Sequence, residues 1–589
     1  MITMQGATSE RVGWNKGDHV CSLFVTLATG ALYLLTLTSG AYFTRDTVLY
    51  AQWVEEGWGT FHPQHLAYVP LGQLFYSLWR ALGYAGRALL PLQVLSAIAG
   101  AVNAGLAYTA FRRLSSRRVA LLITSFFVLC YASWRYSVEA DPYPLMVMGL
   151  LLVLVLMVRR ERHDLRWAVL IGAATALTSL MTLSGCLLAP AVLVVLWGSP
   201  ADRDDPKKKI WLSMVYLLVV SLVVAGAYVA VAVWTEGART PSELLRYLTR
   251  FIRGSSGWLG TGQPLSWRSL VKAVPGVGNV FVGEVPLLRW LQSTSWGWET
   301  LYAVSPAAVL VEKGAPASGL PWSVLVGIAF SIGAFAMLAV GAVWLVRQHS
   351  SIRANDAVLA WAMAAWCVAF GLGALVWLPE CVHFWLPNLV PVCALIALAC
   401  GTNVQKSEMG TRLTRPGWMI LLVCVGMANL VGSMLPLRSP SSNPYWSLVQ
   451  TLDEHVTPGA AVVSLGAGEY RQAPVYLEYY LHCKAMPVRR VFIAPDERRR
   501  QDYRDAVTEM LWTGIEDGAG AFALSDLFES ELGYAQLSAW GGPGAERTEG
   551  EIESLLASWE LVPVACHDGR LTLYRLEPPE PVAAEMKGR

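Results

Sequence analysis

The chain of 589 residues is long enough for several domains, yet only 15% of its residues are charged and 54% are hydrophobic. Soluble proteins of this size carry nearer a quarter of charged residues, so the composition indicates a membrane protein. The formal net charge of +2 is too small to indicate a nucleic-acid partner.

Apolar runs near the length that crosses about 30 Å of hydrocarbon recur along the chain. About eleven transmembrane helices are predicted, at 20–41, 91–111, 119–134, 143–158, 167–181, 185–197, 210–234, 322–346, 357–378, 385–400 and 418–435. The fifth and sixth runs also fit one overlong helix. We divide them at residues 182–185, where Thr, Ser and Gly permit a turn.

Basic residues support this division, because Lys and Arg are enriched in cytoplasmic loops. With the division in place, the cytoplasmic loops at 112–118, 159–166, 203–209, 347–353 and 406–415 together hold 17 Lys and Arg residues, and the short loops on the other side hold almost none. The N-terminus is then cytoplasmic, and the first run is a retained anchor. The predicted parts are a cytoplasmic N-terminus at 1–19, a transmembrane domain at 20–436 with outer loops at 42–90, 135–142, 235–321 and 379–384, and an extracytoplasmic domain at 437–589.

This topology places a set of acidic and imidazole side chains just outside the membrane. The set comprises Asp46, Glu55, Glu56, His62, His65, Glu139, Asp141, Glu380 and His383. Juxtamembrane polar residues often do no more than solvate helix ends. Here, however, carboxylates and imidazoles from three separate loops lie at the same face of the membrane, which favours a shared site.

Two outer loops carry a recognisable order of residues. The first has Asp46, then Gly57 and Gly59, then the dipeptide His62-Pro63; the second reads Trp-Arg-Tyr-Ser-Val-Glu-Ala-Asp-Pro-Tyr-Pro-Leu from residue 134. This order resembles the GT-C class of membrane glycosyltransferases, and in particular bacterial relatives of the protein O-mannosyltransferases. Asp141 stands where that family usually has Glu, and Thr47 stands where many members have a second acidic residue.

The resemblance implies transfer of a sugar from a polyprenyl-phosphate donor. Such a transfer needs a base for the acceptor hydroxyl, and Asp46 is the candidate catalytic residue. The departing lipid phosphate needs hydrogen-bond donors or positive charge, available from Arg45, His62, His65 and His383. The candidate substrate-binding set is Arg45, His62, His65, Glu139, Asp141, Tyr143, Glu380 and His383.

Two roles in this set stay open. The resemblance suggests that His383 contacts the lipid phosphate, but an interfacial anchor for a helix end explains it equally well. No cofactor is clearly required, although Asp46, Asp141 and a His are chemically suitable for a divalent metal.

The long loop at 235–321 contains an amphipathic stretch at 244–253, typical of a helix lying in the headgroup region. Such a helix either gathers an anionic lipid donor or merely supports the loop.

The last 150 residues are predicted to form a small α/β domain with a partly parallel sheet. The expected strands are 460–465 and 488–494, and the expected helices are 446–456, 474–484 and 496–517. Gly466-Ala-Gly468 is interpreted as an ordinary turn, since a dinucleotide fingerprint would need a third glycine. Cys483 and Cys566 both lie in this domain, which leaves a disulfide between them open.

The sequence therefore predicts a glycosyltransferase of a bacterial plasma membrane. It would move a hexose such as mannose from a polyprenyl phosphate to a protein, lipid or glycan acceptor at the outer face. The alternative is a transporter or a non-catalytic envelope scaffold.

Overall fold

The computed structural model describes most of the chain between residues 15 and 578. The described residues are 15–38, 46–57, 61–159, 164–198, 205–235, 237–245, 247, 267–283, 329, 332–333, 354–377, 379, 381–403, 408–438, 444–466, 473–488, 497–529, 550, 552, 554–567 and 571–578. The predicted span at 322–346 and most of the amphipathic stretch at 244–253 lie outside this set.

Helices dominate the first three quarters of the chain. They are α1 (Lys16–Leu35), α2 (Asp46–Glu56), α3 (Tyr68–Ala81), α4 (Leu89–Leu114), α5 (Arg117–Leu129), α6 (Tyr131–Val138), α7 (Tyr143–Val158), α8 (Leu165–Met181), α9 (Ala189–Gly198), α10 (Pro206–Trp234), α11 (Trp267–Phe281), α12 (Ala354–Trp377), α13 (Val382–Asn403), α14 (Glu408–Asn429) and α15 (Leu435–Arg438). A 3-10 helix at Leu183–Leu188 precedes α9, and a π-helical turn at Leu430–Met434 follows α14.

Six of the described helices are long and apolar enough to cross a membrane, and α5 with α6 makes a seventh if the bent pair is one span. Three shorter apolar helices, at Tyr143–Val158, Leu165–Met181 and Leu183–Gly198, coincide with three further predicted runs. The chain is thus a multi-pass helical membrane protein. The total of eleven membrane spans stays a prediction, because the length and apolar composition of the described helices identify at most seven spans.

Side-chain caps explain where several of the helices begin. Asn15 and Asp18 form a reciprocal capping box at the start of α1, and the side chains of Ser116, Asp164 and Asp205 accept from the first turns of α5, α8 and α10. Each cap satisfies backbone N–H groups that the helix itself leaves open.

Arginines from the first predicted cytoplasmic loop converge on α1. The Asp18 carboxylate is fully buried and accepts from Arg112 Nε at 2.9 Å and from Arg117 Nε at 3.0 Å. Burying this carboxylate is favourable only because it is paired. The ion cluster ties the beginning of α1 to the end of α4 and the beginning of α5.

The chain turns back between α8 and α9, as expected for the division at residues 182–185. Helix α8 ends at Met181, and a Cβ atom added to Gly185 would lie 2.7 Å from the backbone nitrogen of Ser179. A continuing helix would carry Gly185 well away from Ser179. Only glycine permits this approach, so Gly185 allows the reversal.

Replacing Gly185 with alanine should lower the free energy of unfolding by about 1–3 kcal/mol, the usual cost of overpacking. Gly226 is the matched control, because it lies inside α10 with no atom within 4 Å of an added Cβ. Alanine at Gly226 should be neutral or stabilising by about 0.5–1 kcal/mol. Thermal unfolding in detergent measures the stability of both variants. Equal stability of the two would contradict the close approach of Gly185 to Ser179.

Helices α5 and α6 meet at Cys130 with a bend of 59°. Asn429, at the end of α14, is fully buried beside the bend: its Nδ2 donates to the carbonyls of Leu129 and Phe281, each at 2.8 Å, and its Oδ1 accepts from Gly283 N at 2.9 Å. A distant amide therefore provides the Leu129 carbonyl with a donor next to the bend.

Within the described residues, strands occur only in the C-terminal domain. The strands are β1 (Ala461–Ser464), β2 (Lys484–Pro487), β3 (Ala521–Leu524), β4 (Glu560–His567) and β5 (Leu571–Glu577), in the order β2-β1-β3-β5-β4. The accompanying helices are α16 (Pro444–Leu452), α17 (Ala473–Leu481), α18 (Glu497–Glu516) and α19 (Asp526–Glu529). Strand β1 is parallel to β2 and β3, whereas β5 is antiparallel to β3 and β4.

The mixed sheet agrees with the expected α/β domain, but strand β2, at Lys484–Pro487, was not predicted. The strand expected at 488–494 lies, except for residue 488, outside the described residues. The short helix α17 ends at Leu481, and His482 then has a φ of 54°, so the chain leaves the helix three residues early. Cys483 and Cys566 are both free thiols, buried and exposed respectively, so no disulfide links them.

The C-terminal domain docks on the first predicted outer loop. Val48, Ala51 and Val54 of α2 share one apolar core with residues of α16, α17 and the sheet. The loop and the domain therefore lie on the same side of the helical region.

Candidate active site

Asp46 is the first residue of α2 and is half-buried. A carboxylate at a helix N-terminus interacts favourably with the helix dipole. The charge of Asp46 is close enough to the second loop to raise the pKa of Asp141. The carboxyl groups of Asp46 and Asp141 therefore lie within electrostatic range of each other.

The second loop joins α6 to α7 and is almost completely buried. Glu139 accepts from Arg135 through both carboxylate oxygens, each at 3.4 Å, and the two side chains are 0% and 4% exposed. Asp141 Oδ1 accepts from Tyr143 N at 3.1 Å, and Ser96 Oγ on α4 lies 3.2 Å from both the Asp141 nitrogen and its carbonyl oxygen. This backbone anchoring fixes the direction of the loop.

Burial raises the pKa of both carboxyl groups in the loop. For Glu139 the effect of burial is opposed by Arg135, and for Asp141 it is opposed by the Tyr143 N–H and reinforced by Glu139 and Asp46. A buried carboxyl group with neighbouring negative charges holds a proton more readily. Asp141 is therefore suited to exchange hydrogen bonds with a hydroxylated ligand.

His65 is anchored to the turn between α8 and α9. Its Nδ1 is 3.0 Å from the carbonyl oxygen of Met181, which can only accept, so Nδ1 carries the proton. Beside it, Ala67 N donates to Leu180 O and Leu183 N donates to Gln64 O, both at 3.0 Å. In the neutral ring Nε2 then has a lone pair, so His65 presents an acceptor rather than a cation to the site.

Burial lowers the pKa of His65 to about 4 from 6.5. Its contribution to stability is therefore complete above pH 6.5 and is lost as the pH falls to about 4, where the unfolded chain binds a proton and the folded protein does not. The loss should be roughly 3 kcal/mol.

An asparagine at position 65 keeps an N–H donor for Met181 but does not titrate. We expect the stability difference between wild type and His65→Asn to change with pH only between about 4 and 6.5. Thermal unfolding across this range measures it, and a difference independent of pH would contradict the assignment.

A row of rings connects the first loop with the start of α13. Trp53 stacks on His62 with ring centroids 5.5 Å apart, and His62 stacks on His65 at 5.9 Å. His65 meets the Tyr143 ring edge-on, with ring centroids 5.9 Å apart, and Tyr143 stacks on His383 with centroids 4.8 Å apart. Three chain segments far apart in sequence therefore line one continuous wall.

His383 is half-buried at the beginning of α13. Its Nδ1 lies 3.4 Å from the Tyr136 hydroxyl, and Trp385 Nε1 donates to Pro379 O at 2.8 Å across the preceding turn. Gly276 of α11 permits the approach, since a Cβ there would meet the Pro379 carbonyl and the Trp385 ring. This packing holds the ring of His383 against Tyr143.

Six of the predicted site residues thus lie near one another, namely Asp46, His62, His65, Asp141, Tyr143 and His383, and Glu139 is fully buried beside Arg135. Arg45 and Glu380 lie outside the described residues. Sequence reasoning missed Arg135, whose guanidinium carbon is 5.1 Å from the ring centre of Tyr136. Its signal was its position four residues before Glu139 at the same helix end.

No group of three or more His, Cys, Asp or Glu side chains in the described part of the chain is arranged to hold a metal ion. Asp46, Asp141 and a histidine therefore do not form such a group here.

Residues 61–228 match the family described as dolichyl-phosphate-mannose-protein mannosyltransferase. No curated protein matches the sequence. The structure is similar to ArnT from Cupriavidus metallidurans bound to undecaprenyl phosphate, with a TM-score of 0.52 and 12% identity over 95% of this chain and 98% of ArnT. It is also similar to the apo Archaeoglobus fulgidus oligosaccharyltransferase, with a TM-score of 0.50 and 14% identity over 90% of this chain and 72% of that enzyme. The chain has the fold of the GT-C superfamily of membrane glycosyltransferases.

Proposed function

We propose that this protein transfers a sugar from a polyprenyl-phosphate donor to an acceptor at the outer face of a bacterial plasma membrane. The observation that carries the proposal is the convergence of Asp46, Asp141 and His383 from three separate loops, beside the buried cation Arg135. The structural relative ArnT binds undecaprenyl phosphate, which supports a lipid-linked donor.

Asp46 is the base in this reaction. It accepts the proton of the acceptor hydroxyl while the hydroxyl oxygen forms a bond to the anomeric carbon of the sugar. The bond between that carbon and the phosphate oxygen breaks, and the lipid phosphate leaves with the electron pair. The half-buried position of Asp46 keeps the carboxylate accessible to an acceptor.

Arg135 stabilises the departing phosphate. Its side chain is 4% exposed, and its contacts to Glu139 are long at 3.4 Å. A phosphate that reaches the guanidinium can take shorter, charge-assisted hydrogen bonds from it. Charge that develops on the phosphate in the transition state is then matched by a fixed positive group in a site of low dielectric constant.

The row of rings supplies the surface for the sugar and the phosphate. The partly exposed ring of Trp53 suits an apolar face of a pyranose, and the imidazoles exchange hydrogen bonds with hydroxyl or phosphate oxygens. Because the Nδ1 proton of His65 is used by Met181, we assign to His65 an acceptor role toward a sugar hydroxyl.

Purified protein in lipid nanodiscs, supplied with a panel of labelled polyprenyl-phosphate hexoses including mannose, tests the proposal. We expect release of polyprenyl phosphate together with label on a hydroxylated acceptor for at least one donor. The sugar that reacts identifies the donor specificity. Failure to release polyprenyl phosphate with any donor, in protein of native fold, would contradict the proposal and favour a non-catalytic envelope protein.

A further inference from the structure

Helix α2, which begins at Asp46, is held at its other end by the C-terminal domain. Glu55 Oε1 accepts from the Tyr479 hydroxyl of α17 at 2.9 Å and from Ala88 N at 2.5 Å, and its Oε2 accepts from Arg87 Nε at 2.7 Å. Glu55 therefore joins three parts of the chain: the end of α2, the start of α4 and the C-terminal domain.

Arg87 and Tyr479 complete this contact. The Arg87 guanidinium lies 3.8 Å from the centre of the Tyr479 ring and donates to the Tyr479 carbonyl, and its Nη1 lies 3.1 Å from His482 Nε2. The Tyr479 hydroxyl also accepts from Leu89 N at 3.2 Å. We call Glu55, Arg87 and Tyr479 the clamp. Its charged groups are only partly exposed, at 15% for Glu55 and 32% for Arg87, so water weakens them less than a surface pair.

The clamp acts on α2, which carries both Asp46 and Trp53. His65 is fixed by α8 through Met181, and Arg135, Tyr143 and His383 belong to α6, α7 and α13. Helix α2, by contrast, packs Val48, Ala51 and Val54 into the core that it shares with the C-terminal domain. The orientations of Asp46 and Trp53 therefore depend on that domain, whereas Arg135, Tyr143 and His383 stand on other helices.

We propose that the C-terminal domain positions Asp46 for catalysis through the clamp of Glu55, Arg87 and Tyr479. The part of this inference that concerns rates rests on the proposed function. The clamp residues are positioning residues, because they act through α2 and do not touch the substrates. Displacing a catalytic group by about 1 Å costs up to about 100-fold in rate.

The activity test compares Tyr479→Phe and Glu55→Gln with the control Tyr480→Phe, which removes a hydroxyl from the same helix outside the clamp. We expect kcat to fall about 10- to 100-fold in both clamp variants. The KM for the lipid-linked donor should change less than kcat, because only Trp53 of the donor surface stands on α2, whereas Tyr143 and His383 do not. Tyr480→Phe should match the wild type. An unchanged kcat, or a loss confined to the donor KM, would overturn the proposal.

A second measurement needs no activity. In hydrogen–deuterium exchange of the full-length protein, the peptide covering residues 46–56 should exchange at least about tenfold faster in Tyr479→Phe than in wild type. A peptide from α7 should be unchanged in both clamp variants, and the Tyr480→Phe protein should match wild type throughout. Exchange of residues 46–56 that is unaffected by Tyr479→Phe would refute the clamp, even if no sugar donor is found. If wild type transfers no sugar but this exchange accelerates, the clamp stands and the proposed function fails.

Discussion

Replacing Asp46 with asparagine is expected to lower the rate of sugar transfer by about 10²–10⁴-fold, the usual contribution of a general base. Asparagine preserves the size of the side chain and its ability to accept at the helix N-terminus, so α2 should remain folded. What is lost is the basic oxygen pair that receives the acceptor proton. The measurement is release of polyprenyl phosphate by equal amounts of folded protein.

Glu56 provides the matched control for Asp46. It lies at the other end of α2, is exposed, and accepts from Gln52 Nε2 at 3.2 Å. Glu56→Gln makes the same chemical change on the same helix and should leave the rate within about twofold, as for a surface change remote from the reacting groups. If both variants kept full activity, the base would have to be another group; if both lost it equally, the effect would come from α2 as a whole.

Loss of Arg135 should have an effect of similar size on the reaction and an additional one on the fold. Removing one donor to developing oxyanion charge costs about 10²–10³-fold in kcat. Arg135→Gln also leaves the fully buried Glu139 without its cation, which costs about 3–5 kcal/mol of stability unless Glu139 takes up a proton. The single variant alone does not separate these two effects.

The double variant Arg135→Gln/Glu139→Gln separates them. Two amides can hydrogen-bond to each other without a buried charge, so the thermal unfolding midpoint should return toward that of wild type. The rate should stay about 10²–10³-fold low, because no cation faces the phosphate. A double variant that recovers both stability and transfer would show that Arg135 serves only to neutralise Glu139.

The parts of the fold that are indicated by runs of hydrophobic residues were predictable. Runs of apolar residues located the helices now seen at Leu89–Leu114, Tyr143–Val158 and Pro206–Trp234, and the Gly185 reversal was expected from a few small and polar residues. Strand β2 was not predicted, because four residues with an exposed lysine carry little periodic signal. The antiparallel pair β4 and β5 was not expected at all.

The candidate site residues could be named from the sequence, but their contacts could not. Short motifs identified Asp46, His62, His65, Asp141 and His383, yet no pattern in the sequence indicates that the Nδ1 proton of His65 is donated to Met181, 116 residues away. Arg135 was overlooked because it stands at the start of the predicted outer loop 135–142, and its burial beside Glu139 depends on the bend between α5 and α6. The contact of Glu55 with Tyr479 joins residues hundreds of positions apart, so no local sequence pattern indicates it.

The hydrogen bond from Asn429 to Leu129 affects when the membrane helices reach their final arrangement. The Leu129 carbonyl beside the bend receives its hydrogen bond from a residue 300 positions later in the chain. During synthesis, therefore, α5 and α6 enter the bilayer well before the amide that stabilises their bent arrangement. An unsatisfied carbonyl in hydrocarbon costs several kcal/mol, so we expect the early pair to remain straighter or hydrated until α14 arrives. The segment that carries Arg135 would then take its final direction only when the last helices insert, and a ribosome-bound chain ending before Asn429 would hold an incomplete phosphate site.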